Sequence, residues 1–291
     1  MTKVLGIIGG SGLYQIDGME NEQWISVESS YGQPSDQLLI GDVEGLKVVF
    51  LPRHGRNHNI SPSKINYRAN IDALKRAGVT DLLSISACGS FREHMAPRDF
   101  VIVDQFIDRT FAREKSFFDE SLVAHVSVAH PTCGGLSDLL MTASDQMDIT
   151  VHKGGTYLAM EGPQFSTLAE SLMYRSWGCD VIGMTNMPEA KLAREAELCY
   201  ATVAMITDFD SWHPDHGEVD IMEIRKTLGN NSDNARSLIK KIIPLLKNDP
   251  ARHPCQQGCD HALEYALITD GKNIDPNLKN KLSAIAGRLL K

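Results

Sequence analysis

Short apolar runs rich in β-branched residues recur along this chain, and segments with helical spacing stand between several of them. "KVLGIIGG" reads as a strand closed by a glycine turn, and "LKVVFLP" as a second. "KINYRANIDALKRAG" puts Ile65, Ala69, Ile71 and Leu74 on or near one helical face and stops at Gly78. "VTDLLSISACG", "DFVIVDQFID" and "GGTYLAMEG" are further strands. "STLAESLMYRSWG" is a helix with a Ser/Thr cap, Glu170 in its early turns and Gly178 at its end. Strand "DVIGMT", helix "PEAKLAREAEL" with Pro188 at its first position, and strand "YATVAMITD" follow. After Gly217 the pattern turns helical, in "VDIMEIRKTLG", "SDNARSLIKKIIPLLKN" and "DPNLKNKLSAIAGRLL".

Such alternation predicts a three-layer α/β/α sandwich around a mixed, largely parallel central sheet. At 291 residues, with no Pro-, Gly- and Ser-rich linker, residues 1–291 are expected to form one domain whose C-terminal segment is helical from about 218. With 42% hydrophobic residues the chain has material for a full core. A formal charge of −8 argues against nucleic acid or an acidic membrane as partner, so any anion site must be local. The first residues, "MTKVLGIIGGSGLYQIDG", have neither a signal-peptide apolar region nor the length of a membrane span, and a cytoplasmic location is the expectation.

Ligands of such sheets sit at the carboxyl ends of the strands. "GGSGL" (Gly9, Gly10, Ser11, Gly12) lacks the third glycine of a dinucleotide fingerprint and the Gly-Lys-Ser/Thr of a P-loop. It is a tight turn whose N–H groups and Ser11 hydroxyl can face an anion. "RHGRNH" supplies Arg53, His54, Arg56 and His58, and an arginine fork suits phosphate oxygens. A solvated basic loop explains that motif equally well. "SISACGS" offers Ser86 and Ser90, and "MTN" offers Thr185. Taken together, these strand ends make a phosphate cradle.

At the foot of the last strand, "AMITDFDSWHP" holds Asp208 and Asp210 two residues apart. Two carboxylates on one strand face raise each other's pKa by repulsion, and burial raises both. The pair can therefore provide one acid and one acceptor. In "SWHPDHGE" beyond it, His213, Asp215, His216 and Glu218 fit no zinc spacing and are expected on a solvated lid.

Six cysteines, Cys88, Cys133, Cys179, Cys199, Cys255 and Cys259, are scattered and expected to be reduced and mostly buried. Only "CQQGC" looks paired. Zinc there would want four ligands, two of which His253 and His261 can supply; a local disulfide is another option, and a plain C-terminal loop is the favoured reading. No metal is assigned.

"GIIGGSGLY", "LPRHGRNH" with "SKINYRANI", "ISACGSFRE" with "PRDFVIVDQFIDRT", "MEGPQFSTLAES", "GCDVIGMTNMPEAKLAREAELCYA" and "TDFDSW" together resemble the trimeric purine nucleoside phosphorylase family, within it the methylthioadenosine phosphorylase branch. The likeness runs from the first strand to about Gly229. It implies phosphorolysis of 5′-methylthioadenosine to adenine and 5-methylthioribose 1-phosphate in purine and methionine salvage. It also implies no cofactor, phosphate as co-substrate, and a homotrimer. Phosphate binding would fall to Ser11, Arg53, His54, Ser86, Ala87 and Thr185. Met184 would lie against the ribose, Phe165 and Ser166 would line the base pocket, and Asp208 and Asp210 would take the purine edge. Ile221 would sit near the 5′ group, and His125 would reach a neighbouring subunit's nucleoside. Serine stands at 11 and 86 where relatives often carry threonine, "TNMPE" departs from the "TTVPE" of eukaryotic members, and "CQQGC" has no counterpart in many members. The 6-oxopurine branch carries asparagine where Asp208 stands, so aspartate there argues for adenine. Competing readings are a methylthioinosine or general purine nucleoside phosphorylase, a nucleoside hydrolase and a non-catalytic nucleoside-binding protein.

Overall fold

The computed structural model describes residues 3–10, 12–118, 121–214, 221–249, 254–269 and 274–290, without the side chains of 221 and 223. In chain order, β1 (Val4–Gly9), β2 (Met19–Ile25), β3 (Leu38–Val43) and β4 (Leu46–Pro52) lead to α1 (Tyr67–Arg76). Then β5 (Asp81–Ser90), β6 (Phe100–Val103) and β7 (Gln105–Asp108) precede α2 (Gly134–Ser144). Next come β8 (Val151–Lys153), β9 (Thr156–Ala159), α3 (Leu168–Ser176), β10 (Val181–Gly183), α4 (Asn186–Glu195) and β11 (Cys199–Phe209). The chain ends in α5 (Ile221–Asn248), α6 (Pro276–Lys281) and α7 (Ser283–Ala286).

Among the described residues the eleven strands form one mixed sheet in the order β2-β3-β4-β1-β5-β10-β9-β7, with β11 also on β5, β6 on β11 and β8 on β6. Pairs β1–β4, β1–β5, β5–β11, β9–β10, β7–β9 and β6–β8 are parallel. The β2–β3, β3–β4, β5–β10 and β6–β11 pairs are antiparallel. Strand β5 is the branch point: its first half lies between β1 and β11, and its last residues pair with β10. That fork opens the sheet at the carboxyl end of β5.

Period-two alternation sends Val4 and Ile8 of β1 to one face and Leu5 and Ile7 to the other. On the first face they meet Ile71 and Leu74 of α1, Ala190 and Leu192 of α4 and Ile285 of α7. On the second they meet Leu136 and Leu140 of α2 and Leu238, Ile242 and Leu246 of α5. Burying each large side chain contributes about 1.5–3 kcal/mol. These are the three layers expected from the alternation.

Local signals act where the sequence places them. Asn66 caps α1 by accepting from the Ala69 N–H, and Thr167 and Glu170 close a capping box on α3. Met187 is non-helical, so regular helix begins at Pro188, whose ring bars the preceding residue from helical backbone.

Three expectations change. "DFVIVDQFID" is two strands on different branches of the sheet, parted at Asp104, whose Oδ1 accepts from the Gly155 N–H at 3.0 Å. The two helices expected after Gly217 are one helix of 28 residues. Asn231, expected in the gap between them, is instead fully buried and donates to the Ile206 carbonyl at 2.9 Å, while Ser232 bonds back to the Leu228 carbonyl. Finally, "DPNLKNKLSAIAGRLL" divides into α6 and α7 at Leu282. Strands β2, β3 and β8 and helix α2 have no counterpart in the sequence reading.

The tail folds back onto the start of β11. Buried Glu197 accepts from the Leu263 N–H at 2.9 Å and from Arg288 Nε at 2.7 Å, and Ala124 bridges Leu267. The cysteines read as scattered are all free and buried, and Cys133, Cys199, Cys255 and Cys259 converge beside this tail. His261 does not join them: it is exposed and bonded to Asp260, while His253 lies outside the described residues.

Candidate active site

The carboxyl ends of β4, β5, β10 and β11 surround a cavity of about 610 Å³, closed on one side by Ile224, Leu228 and Ser232 of α5. Ala87 is exposed in the middle of an otherwise buried strand because it forms part of the cavity floor.

A β-bulge aims the two aspartates. Met205 pairs with Ala87 and Ile206 with Cys88, but Thr207 is then skipped and Asp208 pairs with Gly89. One extra residue reverses the alternation, so Asp208 and Asp210 share the face of Met205 and Ala87 rather than that of Ile206. Without the bulge, both carboxylates would point toward the layer of α1 and α4. Gly89 provides the space: a Cβ there would lie 3.2 Å from Asp208 Oδ2 and 3.4 Å from Asp210 Cβ.

Burial pushes the Asp208 carboxyl up to about 7; the Thr207 hydroxyl, bonded to Oδ1 at 2.6 Å, opposes the rise, and the Asp210 charge adds to it. Asp210 is 4% exposed, and burial raises its pKa too. The Ser166 hydroxyl lies 2.6 and 2.8 Å from its two oxygens and favours the ionised form. Ser166 is thus buried behind Asp210, while Phe165 lines the cavity itself.

Arg53, 1% exposed, lines the opposite end of the cavity. Its Nε donates to Glu189 Oε2 at 2.8 Å, Nη1 to the Ile85 carbonyl at 3.0 Å, and Nη2 to Ser84 Oγ at 2.6 Å and Glu189 Oε1 at 3.1 Å. The buried carboxylate holds the guanidinium charge in place and leaves one Nη1 hydrogen uncommitted among the described residues. His54 donates through Nδ1 to the Ile60 carbonyl at 2.8 Å, and burial lowers its pKa to about 4. The neutral ring therefore carries its lone pair on Nε2. It stacks on His58, another lining residue, with centroids 4.5 Å apart.

Thr185 lines the cavity at the start of α4 without a side-chain capping bond, and Ser86 lines it with its hydroxyl on Asn186 Oδ1 at 2.9 Å. Met184 lines it too, its carbonyl held by Arg113 Nη1 at 2.5 Å. Arg53 Nη1, the Thr185 hydroxyl and the helix start can hold an anion at one end, while Asp208 and Asp210 offer an acid and an acceptor at the other.

Other residues singled out in the sequence stand elsewhere. Arg56 turns outward onto the Trp24 ring and Asp36. The Ser90 hydroxyl is engaged with the backbone of Arg92. His125 is exposed on the segment that pairs with the tail and does not line the cavity within this chain. His213, expected on a solvated lid, is instead buried, stacked on Phe209 at 4.7 Å. Ser11, Asp215, His216, Glu218 and the Ile221 side chain lie outside the described residues. Sequence reasoning missed Gly89, Glu189, Asn186, Asn231 and Arg113, each of which acts on a site residue from a distant part of the chain. Only Gly89 carried a signal, as the small residue of "ACGS".

A family model described as the phosphorylase superfamily matches residues 4–244. The chain belongs to the phosphorylase superfamily. Among curated superfamily members, it is 64% identical over 291 residues to S-methyl-5′-thioadenosine phosphorylase of Cereibacter sphaeroides, covering 100% of both chains. It is 58% identical to the protein of that name from Rhodospirillum rubrum, over 99% of this chain and 97% of the other. Among solved phosphorylase structures, a methylthioadenosine phosphorylase from an Antarctic soil metagenomic library superposes with a TM-score of 0.89 at 44% identity, covering 98% of this chain and 99% of that one. The Schistosoma mansoni methylthioadenosine phosphorylase in complex with adenine superposes at 0.82 with 33% identity, over 91% and 99% of the two chains.

Proposed function

We propose that this phosphorylase cleaves 5′-methylthioadenosine with phosphate, giving adenine and 5-methylthioribose 1-phosphate for salvage. The observation that carries this reading is Asp208, held near pKa 7 in a cavity whose far end is lined by Arg53, His54, Ser86 and Thr185. The curated relatives bear the name of this activity.

Phosphate sits against the free Arg53 hydrogen, the Thr185 hydroxyl and the backbone at Ala87, beside Ser86, and a role toward the same anion is assigned to Ser11. His54 Nε2 accepts a hydrogen bond from a monoprotonated phosphate or from a ribose hydroxyl. The purine lies against Phe165 with its imidazole edge toward the aspartates, and the ribose lies against Met184. As the glycosidic bond breaks, positive charge grows on the sugar and phosphate stabilises it before forming the new bond at the anomeric carbon. The bond electrons flow into the base, and protonated Asp208 delivers its proton to N7, so that a neutral purine leaves. Asp210, whose carboxylate form the Ser166 hydroxyl favours against the effect of burial, accepts from the 6-amino group. A 6-oxo group would place acceptor against acceptor, at a cost of about 1–3 kcal/mol. The apolar wall of Leu13, Ile224 and Leu228 receives the methylthio group, and the same role is assigned to Ile221.

The active form is a cytoplasmic homotrimer in which His125 of a neighbouring copy completes the sugar pocket. An exposed apolar stripe on and beside α3, Leu168, Leu172, Met173 and Trp177 next to Phe165, supports self-association beside the cavity. No described helix is long and apolar enough to cross a membrane.

Turnover of methylthioadenosine and methylthioinosine, each with and without phosphate, tests the reading. Faster, phosphate-dependent cleavage of the adenine compound is expected. Preference for the 6-oxo compound would overturn the role given to Asp208 and Asp210, and phosphate-independent cleavage would make the protein a hydrolase.

A further inference from the structure

Cys133, Cys199, Cys255 and Cys259 come from three separate stretches of the chain, yet their sulfurs all lie within 4.8 Å of one another. All are buried in the layer between the sheet and α2 and α5. We propose that these four cysteines form a closed tetrahedral site for one structural zinc ion.

The geometry suits a shared ion better than paired sulfurs. Cys133 Sγ and Cys255 Sγ are 3.8 Å apart. Zinc–thiolate bonds of about 2.3 Å give a tetrahedron with edges of about 3.8 Å. A disulfide needs its sulfurs at about 2.05 Å. Cys255 and Cys259 sit in a C-x₃-C turn, a spacing found in zinc sites. That turn closes with the Gly258 N–H on the Cys255 carbonyl at 2.8 Å, and Gly258 has φ of 68°. Cys133 stands at the N-cap of α2, so an ion held there would be fixed to the start of that helix.

Four sulfur donors without oxygen select a soft, tetrahedral ion, and a complete protein shell leaves no position for substrate. Binding exchanges four S–H bonds for four Zn–S bonds and releases four protons to solvent. The ion would tie the entry to α2 and the start of β11 to the segment after α5. Cys199 is nine residues before Asp208 along one strand, roughly 30 Å away, so the site is separate from the cavity and serves stability.

The test is elemental analysis of the full-length chain, purified without added chelator, together with thiol titration. One zinc per chain is expected, with these four thiols unreactive until a mercurial displaces the metal. Replacement by cobalt should give the near-ultraviolet charge-transfer and visible bands of a tetrahedral tetrathiolate. Cys259→Ser should cut zinc content at least tenfold and lower Tm, with kcat/KM for the nucleoside within twofold of the parent below that Tm. Because the zinc and cobalt measurements use the unaltered protein, a variant that fails to fold leaves the test intact. Metal below a tenth of an equivalent with four free thiols would overturn the proposal. So would an intact mass four hydrogens lighter that reductant restores, which would make the cluster two disulfides.

Discussion

Asp208 stands opposite Gly89, and the missing side chain at Gly89 is the space that the Asp208 carboxylate uses: a Cβ there would lie 3.2 Å from Oδ2. The contact exists because the Thr207 bulge shifts the end of β11 by one residue. Asn231 of α5 anchors the bulge by taking the Ile206 carbonyl. The acid end of the site thus depends on a strand irregularity, a glycine on the neighbouring strand and an asparagine on a helix.

Gly89→Ala should displace the aspartates without unfolding the sheet. Turnover should fall about 10–100-fold, in line with misplacement on the scale of 1 Å, while Tm shifts by only a few degrees. Steady-state kinetics beside a thermal melt separate the two effects. A melt that collapses together with activity would make Gly89 a packing residue only.

Asp208→Asn removes the titrating proton but keeps a donor. Turnover of methylthioadenosine should drop about 10²–10⁴-fold, the usual worth of a general acid. The ratio of 6-oxo to 6-amino activity should rise. Unchanged turnover would remove Asp208 from the chemistry.

The pH dependence has a definite sign. With Asp208 near 7 folded and about 3.9 unfolded, the native state holds the proton more tightly between those values. Stability therefore declines as pH rises from about 4 through 7, by at most about 4 kcal/mol from this group. His54, lowered to about 4, works in the opposite direction between about 4 and 6.5. Comparing Asp208→Asn with the parent isolates the aspartate: the variant should melt higher at pH 8 and equally at pH 4. For the parent, kcat/KM should fall as pH rises through about 7.

Glu189→Ala would leave the Arg53 charge buried without its carboxylate. Loss of about 3–5 kcal/mol of stability is expected from breaking such a pair. Phosphate should then raise Tm more in the variant than in the parent, because it meets a guanidinium no longer compensated. Equal phosphate effects in differential scanning calorimetry would show that Arg53 does not face the anion.

Leu172→Glu, on the exposed face of α3, should dissociate the proposed trimer to monomers in light scattering and lower turnover through loss of the neighbouring His125. A parent chain that is monomeric at the assay concentration would contradict the assembly.

The sequence by itself determined the sandwich and several of the polar residues that line the cavity. Apolar period-two runs and helical spacing are local signals, and residues just past parallel strands gather at one edge, so Arg53, His54, Ser86, Thr185, Asp208 and Asp210 were legible from position alone. Tertiary structure decided what those residues can do. The bulge at Thr207 is a pairing property of two strands and leaves no mark in either one. Arg53 reads as a free cation until Glu189, 136 residues away, is found bonded to it. Asn231 looks like a helix breaker until the Ile206 carbonyl gives its side chain a partner. Cys133 and Cys199 look unrelated to "CQQGC" until the tail folds back upon them. In each case the deciding term is a hydrogen bond, charge or contact between groups far apart in the chain, and such energies exist only once the chain has closed on itself.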